Sequence, residues 1–442
     1  MPSALLTDLY ELNMAASYLR RGMDQKATFS LFVRRLPTNR GFLVAAGLEP
    51  CLGFLEDFRF DGSELEHLAS SLGFDDATLE ALRALRFEGD VWAVPEGRIV
   101  LADEPLLEIT APIAVAQLVE TYLLNVITFQ TTIASKAARC VIAADGRDLV
   151  DFAFRRTQGV DAAMAVARAT AMVGFAATSN VEAGRRFGLP VAGTMAHSYV
   201  ESFPTERDAF VAFATDFPTR TTFLVDTYDT VNGVRTAIEV IRELGLTERL
   251  GVRLDSGDLD ALARRSREAL DEAGMRHVRI FASGGLDEAD VDRLVRAGAP
   301  IDAFGVGTRV GVSADAPFLD SVYKLVEYDG RPVLKLSAGK ATAPGRKQVF
   351  RGTGGDVIAL RDEPVPEGHE PLLVPVMDGG RRTGPPRTLA TARQLFRGDL
   401  SRLPEPARRL RDPDPPGVRL SDPLLQLTDS VGADMRRRAG IR

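Results

Sequence analysis

The chain has 442 residues, 45% of them hydrophobic, enough for two or three domains with buried cores. Its 54 Lys and Arg against 61 Asp and Glu leave a net charge of −7, which argues against a nucleic-acid partner or an anionic membrane surface; any anion site must be built locally. Cys51 and Cys140 have no CxxC or Cys/His spacing, which argues against a disulfide framework and a structural zinc, and both read as reduced core residues.

The N-terminus carries acids where a secretory signal needs a basic and then an apolar stretch. The longest apolar run, near 113–129, is broken by Gln117, Glu120 and Asn125, so the sequence reads as cytoplasmic, with no membrane partner. Residues 7–21 carry a helical stripe of Leu9, Leu12, Ala16 and Leu19, closed by Gly22, and Tyr10 falls off it. Ala27, Phe29, Leu31 and Val33 alternate as in a half-exposed strand. Helices are expected over 44–57, 63–71 and 76–85, short strands and turns over 90–110, and a long helix over 113–144. This first third has an α+β texture and no visible catalytic constellation.

From Leu149 short apolar runs at 149–154, 189–193, 222–226, 250–255, 278–284 and 302–307 alternate with helical segments. About six βα units in series predict a parallel sheet closed into an α/β barrel, with polar clusters at the strand ends where such barrels keep their chemistry. After the first run come Arg155 and Arg156, at least one of which should face the barrel mouth, where a carboxylate or phosphate is the natural ligand. His197 stands alone in the small, apolar frame LPVAGTMAHSYV, either as a strand cap or as a reactive imidazole. Of Asp226 and Asp229, one should cap the next helix, leaving the other for a hydroxyl or Mg²⁺. Arg253 and Asp255 alternate with Val252 and Leu254, so they project from one strand face, as a structural ion pair or as a site. Ser283-Gly284-Gly285 and Gly305-Val306-Gly307-Thr308 are glycine loops, each before a helix, that read as paired phosphate nests or as tight turns.

Beyond 320, Asp329-Gly330 marks a hairpin between 321–328 and 331–336. A basic cluster of Lys335, Lys340, Arg346, Lys347 and Arg351 suits a polyphosphate, and from Gly379 the Pro- and Arg-rich chain reads as an extended tail. The expected division is 1–145, 146–320 and 321–442.

LLTDLYELNM, DFAFRR, ATSNVEAG, AGTMAHS, VDTYD, VRLDSGD, FASGG, FGVGTR and GRKQVFR occur in the order seen in nicotinate phosphoribosyltransferases. The chain resembles that family, of the type II phosphoribosyltransferases, from about Leu5 to Arg351. The resemblance implies an irregular α/β barrel of about six parallel strands, beside a second α+β domain formed by both chain ends. It implies synthesis of nicotinate mononucleotide from nicotinate and 5-phosphoribosyl 1-pyrophosphate in NAD salvage, with ATP hydrolysis coupled through a phosphohistidine. Mg²⁺ and a homodimer with shared active sites go with it.

On this sequence the resemblance makes His197 the phosphorylated residue. It places nicotinate between Phe152 and a Tyr10 from the neighbouring subunit, in contact with Arg155, Thr194 and Arg253. Ser179 stands where nicotinamide-using relatives carry an acid, which favours a carboxylate substrate. Asp226 and Asp255 would hold Mg²⁺ or ribose hydroxyls, and Ser283, Gly284, Gly285, Gly305, Gly307 and Thr308 the 5-phosphate, with Lys340 and Lys347 as further phosphate contacts. Ala153 and Ala177 depart from the family's frequent glycines, which bears on local backbone geometry. The rivals are a nicotinamide phosphoribosyltransferase, a quinolinate phosphoribosyltransferase, which is usually shorter and more basic at its site, and a non-catalytic phosphate-binding barrel.

Overall fold

The computed structural model describes residues 2–336, 342–438 and 440. The chain divides into two compact units, one built from residues up to Thr132 and from Phe318 onward, the other from Ile133 to Pro317.

The first unit is organised on a seven-stranded antiparallel sheet in which Lys26–Val33 lies between Pro105–Pro112 and Ser321–Tyr328. Seven of that strand's eight residues are buried, so it is not half-exposed as its alternation suggests. The polar face is covered by an ion cluster. Glu108, in register with Ser30, is fully buried against Lys347 Nζ at 3.1 Å and the Arg361 guanidinium. Asp329 and Gly330 both adopt positive φ (51° and 69°) to make the hairpin, but its second strand is only Arg331–Pro332. The segment after Gly379 is not extended. It forms the helices Leu389–Arg402 and Asp422–Arg438, anchored by the fully buried Phe396 and Leu424.

The second unit is a curled, half-barrel sheet of six parallel strands, in the order Ala177–Thr178, Asp148–Asp151, Ala303–Val306, Arg279–Ala282, Gly251–Leu254 and Thr222–Leu224. One strand differs from the sequence reading. Of 189–193 only Val191 makes a bridge, to Thr178, and Ala177–Thr178 is the strand instead. Pro190 has no N–H to give, and its carbonyl accepts from Thr178 N at 3.0 Å, so pairing stops after one step. Ala153 sits at φ −80°, ordinary right-handed backbone, and Ala177 is not among the positive-φ residues, so neither alanine is strained.

The helices following the strands are set by acids at the strand ends. Asp229 accepts from Asn232 N at 2.9 Å and opens Thr230–Glu243, which buries Val234, Ala237, Ile238 and Ile241 along one face. Asp258 and Asp287 cap Leu259–Glu272 and Glu288–Arg296 in the same way.

Candidate functional site

A cavity of about 290 Å³ opens at the C-terminal ends of the parallel strands, lined by Phe152, Arg155, Arg156, Arg253, Asp255 and both glycine loops. Arg253 is its organising residue. Val252 and Leu254 are fully buried on one face of their strand, and Arg253 points from the other. Its Nε donates to Ser283 Oγ (2.8 Å), Nη1 to Thr194 Oγ1 (3.0 Å) and Nη2 to Asp255 Oδ1 (2.6 Å). Its guanidinium also lies 5.4 Å from the centre of the Phe152 ring, within cation–π reach.

Burial opposes the charge on Asp255, but the Ser283 hydroxyl and the Arg253 guanidinium outweigh it and hold the carboxyl below the usual range. The glycines are sterically required. Gly284 has φ +102°, and a Cβ there would stand 2.0 Å from the Asp255 carbonyl oxygen; a Cβ at Gly305 would stand 2.8 Å from the Phe152 ring.

His197 opens the short helix His197–Glu201, with Nδ1 3.2 Å from Thr227 Oγ1 and Nε2 3.8 Å from Asp255 Oδ2. Asp229 is the acid that caps the helix, and Asp226 is the other. Asp226 Oδ2 accepts from Asp255 N (2.9 Å) and Ser256 Oγ (2.6 Å), while its Oδ1 is buried without a hydrogen-bond partner among the described residues. Among those residues no group of three or more His, Cys, Asp or Glu side chains is placed to hold a metal ion.

Two residues near the site were not singled out from the sequence. Asp151, buried at the end of its strand, accepts from Ala153 N (2.8 Å) and Thr178 Oγ1 (2.7 Å), which ties the Phe152 loop to the neighbouring strand; an acid inside the apolar run LVDFAF was the available signal. Glu206, the first residue of its helix, is pushed up to about 7 by burial and by the Asp229 and Asp226 carboxylates, and nothing in its local sequence marks it.

Three expected residues, Ser179, Tyr10 and Lys347, neither line the cavity nor bond to Arg253, Asp255 or His197, unlike Thr194, His197 and Asp226, which join it through those contacts. Ser179 is half-buried, its amide bonded to the Asp151 carbonyl at 2.8 Å. Tyr10 is a half-exposed residue of the N-terminal helix in the other unit, its hydroxyl held protonated above the ordinary range by burial and by Glu120 and Glu11. Lys347 does not suit a phosphate ligand: its ammonium is 3% exposed and committed to Glu108 and to the carbonyls of Ala343 and Gly345. Lys340 lies outside the described residues.

Three family models match consecutive stretches: the nicotinate phosphoribosyltransferase N-terminal domain over residues 5–128, the nicotinate phosphoribosyltransferase family over 148–353, and the C-terminal domain of that enzyme over 361–428. A nicotinate phosphoribosyltransferase of Mycobacterium tuberculosis is 49% identical over 416 residues, covering 92% of this chain and 89% of that protein. That of Bacillus subtilis is 45% identical over 378 residues, covering 82% and 77%. The crystal structure of human nicotinic acid phosphoribosyltransferase superposes with a TM-score of 0.86 at 33% identity, covering 96% of this chain and 99% of the human one. Fold and site thus define an α/β-barrel phosphoribosyltransferase. The chain belongs to the nicotinate phosphoribosyltransferase family, enzymes of NAD biosynthesis. The last match extends the resemblance through the helix Leu389–Arg402 and into the first turns of Asp422–Arg438. Among the described residues no helix is long and apolar enough to cross a membrane.

Proposed function

We propose that the cavity around Arg253 transfers the phosphoribosyl group of 5-phosphoribosyl 1-pyrophosphate to the ring nitrogen of nicotinate. The bond from the ribose anomeric carbon to pyrophosphate breaks, its electron pair leaves with pyrophosphate, and the pyridine nitrogen supplies the pair of the new C–N bond. The observation that carries this reading is the convergence in one cavity of Arg253, the exposed pair Arg155 and Arg156, and two glycine loops. Phe152 offers a ring face, the arginines meet the nicotinate carboxylate, and the amides of Gly284, Gly285, Gly305 and Gly307 with Ser283 and Thr308 cradle the 5-phosphate. No general base is needed, because the nucleophile is a lone pair. Catalysis rests on alignment and on charge placed where the oxocarbenium ion and leaving group develop. Tyr10 closes the pyridine site from a second copy of the chain, in a homodimer acting in the cytoplasm, and Ser179 leaves the carboxylate unopposed.

Mg²⁺ fits the donor set. Asp226 Oδ1 is a buried oxygen without a partner among the described residues, the Asp255 amide bonds the other Asp226 oxygen and so brings a second acid to the same strand end, and one or two carboxylates are what this ion takes when substrate phosphates complete its shell. When bound, the ion would neutralise the departing pyrophosphate. Asp226 also fixes the loop that carries Asp255 and Ser256, whether or not the ion is bound.

His197 is the ATP-dependent element. With the proton on Nδ1, donating to Thr227 Oγ1, the Nε2 lone pair is free to attack the γ-phosphorus of ATP, breaking its bond to ADP; water later takes the phosphoryl group from nitrogen. The test is His197→Asn, which keeps a hydrogen-bonding group but removes the nucleophile. It is expected to lose ATP hydrolysis and acid-labile label from γ-labelled ATP while retaining slow, uncoupled transfer. Labelling of the folded variant to wild-type stoichiometry overturns the assignment.

A further inference from the structure

Next to the two glycine loops lies a set of ion pairs none of whose residues lines the cavity. Asp287, two residues after Gly285, opens the helix Glu288–Arg296; its Oδ1 accepts from the amides of Ala289 (3.0 Å) and Asp290 (3.2 Å). Its Oδ2 is held at 2.9 Å by Nη1 of Arg309, the residue after Thr308, and the same nitrogen reaches Asp290 Oδ2 at 3.1 Å. The loop Ser283–Gly285 and the turn from the strand end at Gly305 to the helix start at Thr308 are thereby tied to each other within a residue or two of their glycines.

A second tie lies deeper. Lys136, 1% exposed, pairs with Glu288 Oε2 at 2.5 Å and with Asp315 Oδ1 at 3.0 Å, so one ammonium holds the chain that follows each loop. Arg139 Nε takes the other Glu288 oxygen at 2.9 Å. Asp287 and Glu288 stand at the start of one helix and Arg309 directly follows Thr308, beside the loops whose amides would meet a phosphate, and a nest binds only while its N–H groups converge. Arg309 has an electrostatic effect as well, because Asp287 and Asp290 are carboxylates close to where a dianion would sit, and an unneutralised pair would repel it.

We propose that Arg309 and Lys136 are positioning residues that lock the two glycine loops in register and so set the affinity for the phosphoribosyl donor. This rests on reading the loops as the 5-phosphate cradle. Arg309 is the residue to test, since it is half-exposed and its loss spares the buried Lys136 cluster.

In Arg309→Leu the KM for 5-phosphoribosyl 1-pyrophosphate should rise roughly ten-fold, within the range a slight misplacement of a binding group costs. The kcat at saturation and the KM for nicotinate should stay at wild-type values. Arg309→Lys should restore the donor KM, because a single nitrogen makes both contacts in the structure. Arg309→Gln, which is milder in the fold, should give an intermediate rise and carries the test if the leucine variant is not recovered folded.

Thr308→Val, which removes a hydroxyl from the cradle itself, separates the two claims. If it raises the donor KM while Arg309→Leu and Arg309→Gln do not, the lock is overturned and the cradle stands. If the donor KM does not respond to Thr308→Val either, the cradle reading is overturned and the lock with it. An equal rise in the KM of both substrates, or a rise that lysine fails to reverse, would make Arg309 a general structural residue and overturn its positioning role.

Discussion

Arg253→Ala is the substitution whose consequences the structure specifies most fully. The side chain is 11% exposed and makes four hydrogen bonds, one of them to a carboxylate that is itself 27% exposed. Its removal leaves Asp255 with the Ser283 hydroxyl and no cation in contact, and an unpaired, partly buried group of that kind costs about 1–3 kcal/mol. For a unit of this size that is a fall in unfolding temperature of roughly 2–4 °C per kcal/mol, which leaves the fold intact. Loss of one charge-assisted contact to the nicotinate carboxylate, at about 1.5–3 kcal/mol, weakens nicotinate binding roughly 10- to 150-fold.

The stability loss also has a pH signature. The folded Asp255 carboxyl lies below its ordinary range because Ser283 and Arg253 overcome the opposing effect of burial. Its ion pair therefore stabilises the fold above the ordinary carboxylate pKa, and that contribution disappears as pH falls through the lowered folded value. The gap in unfolding temperature between wild type and Arg253→Ala should be widest near neutrality and should close in acid. Titration calorimetry with nicotinate and scanning calorimetry across pH check the two halves. Unchanged nicotinate affinity in the folded variant refutes the site, and a pH-independent gap refutes the ion-pair argument.

Three further outcomes are expected. Ser179→Asp should weaken nicotinate and relatively favour nicotinamide, as competition between the two pyridines would reveal; an unaltered preference places Ser179 away from the ring substituent. Gly284→Ala should lose donor binding and lower the unfolding temperature, because its Cβ would stand 2.0 Å from the Asp255 carbonyl at φ +102°; a variant with wild-type donor KM would contradict that steric account. Burial and the Glu11 carboxylate push Glu120 up to about 7, so folding takes up a proton and wild-type stability should decline as pH rises from the ordinary carboxylate range to about 7. Glu120→Gln should lessen that decline in unfolding temperature between pH 4.5 and 8, leaving the part that Glu206 contributes, and an equally steep decline in the variant would refute the role of Glu120.

Much of the barrel could be read from the sequence because its signals are local. Alternation along Gly251–Leu254 puts Arg253 and Asp255 on one face, a glycine marks the turn at 284, and an acid before a helical stripe marks one of Asp226 and Asp229 as a cap. What was not legible depends on partners remote in the chain. Lys347 looks like a member of a basic patch until its partner Glu108, 239 residues earlier, is found buried against it. The same ion cluster turns the alternating strand Lys26–Val33 into one buried on both faces. Ala177–Thr178 is too short to show a period, whereas LPVAG has the composition of a strand but a proline, with no N–H to donate, beside its single bridge. The proline-rich tail hides two long helices, since Phe396 and Leu424 are buried only in the tertiary structure.

The account's central claim is that the cavity around Arg253 transfers a phosphoribosyl group to nicotinate in particular. The direct measurement is pyrophosphate release by the purified chain with 5-phosphoribosyl 1-pyrophosphate, Mg²⁺ and, separately, nicotinate, nicotinamide or quinolinate. The account predicts rapid release with nicotinate, stimulated by ATP, and little with the other two. Release that is equal for nicotinamide, or that requires quinolinate, would contradict it, as would an absence of release with all three.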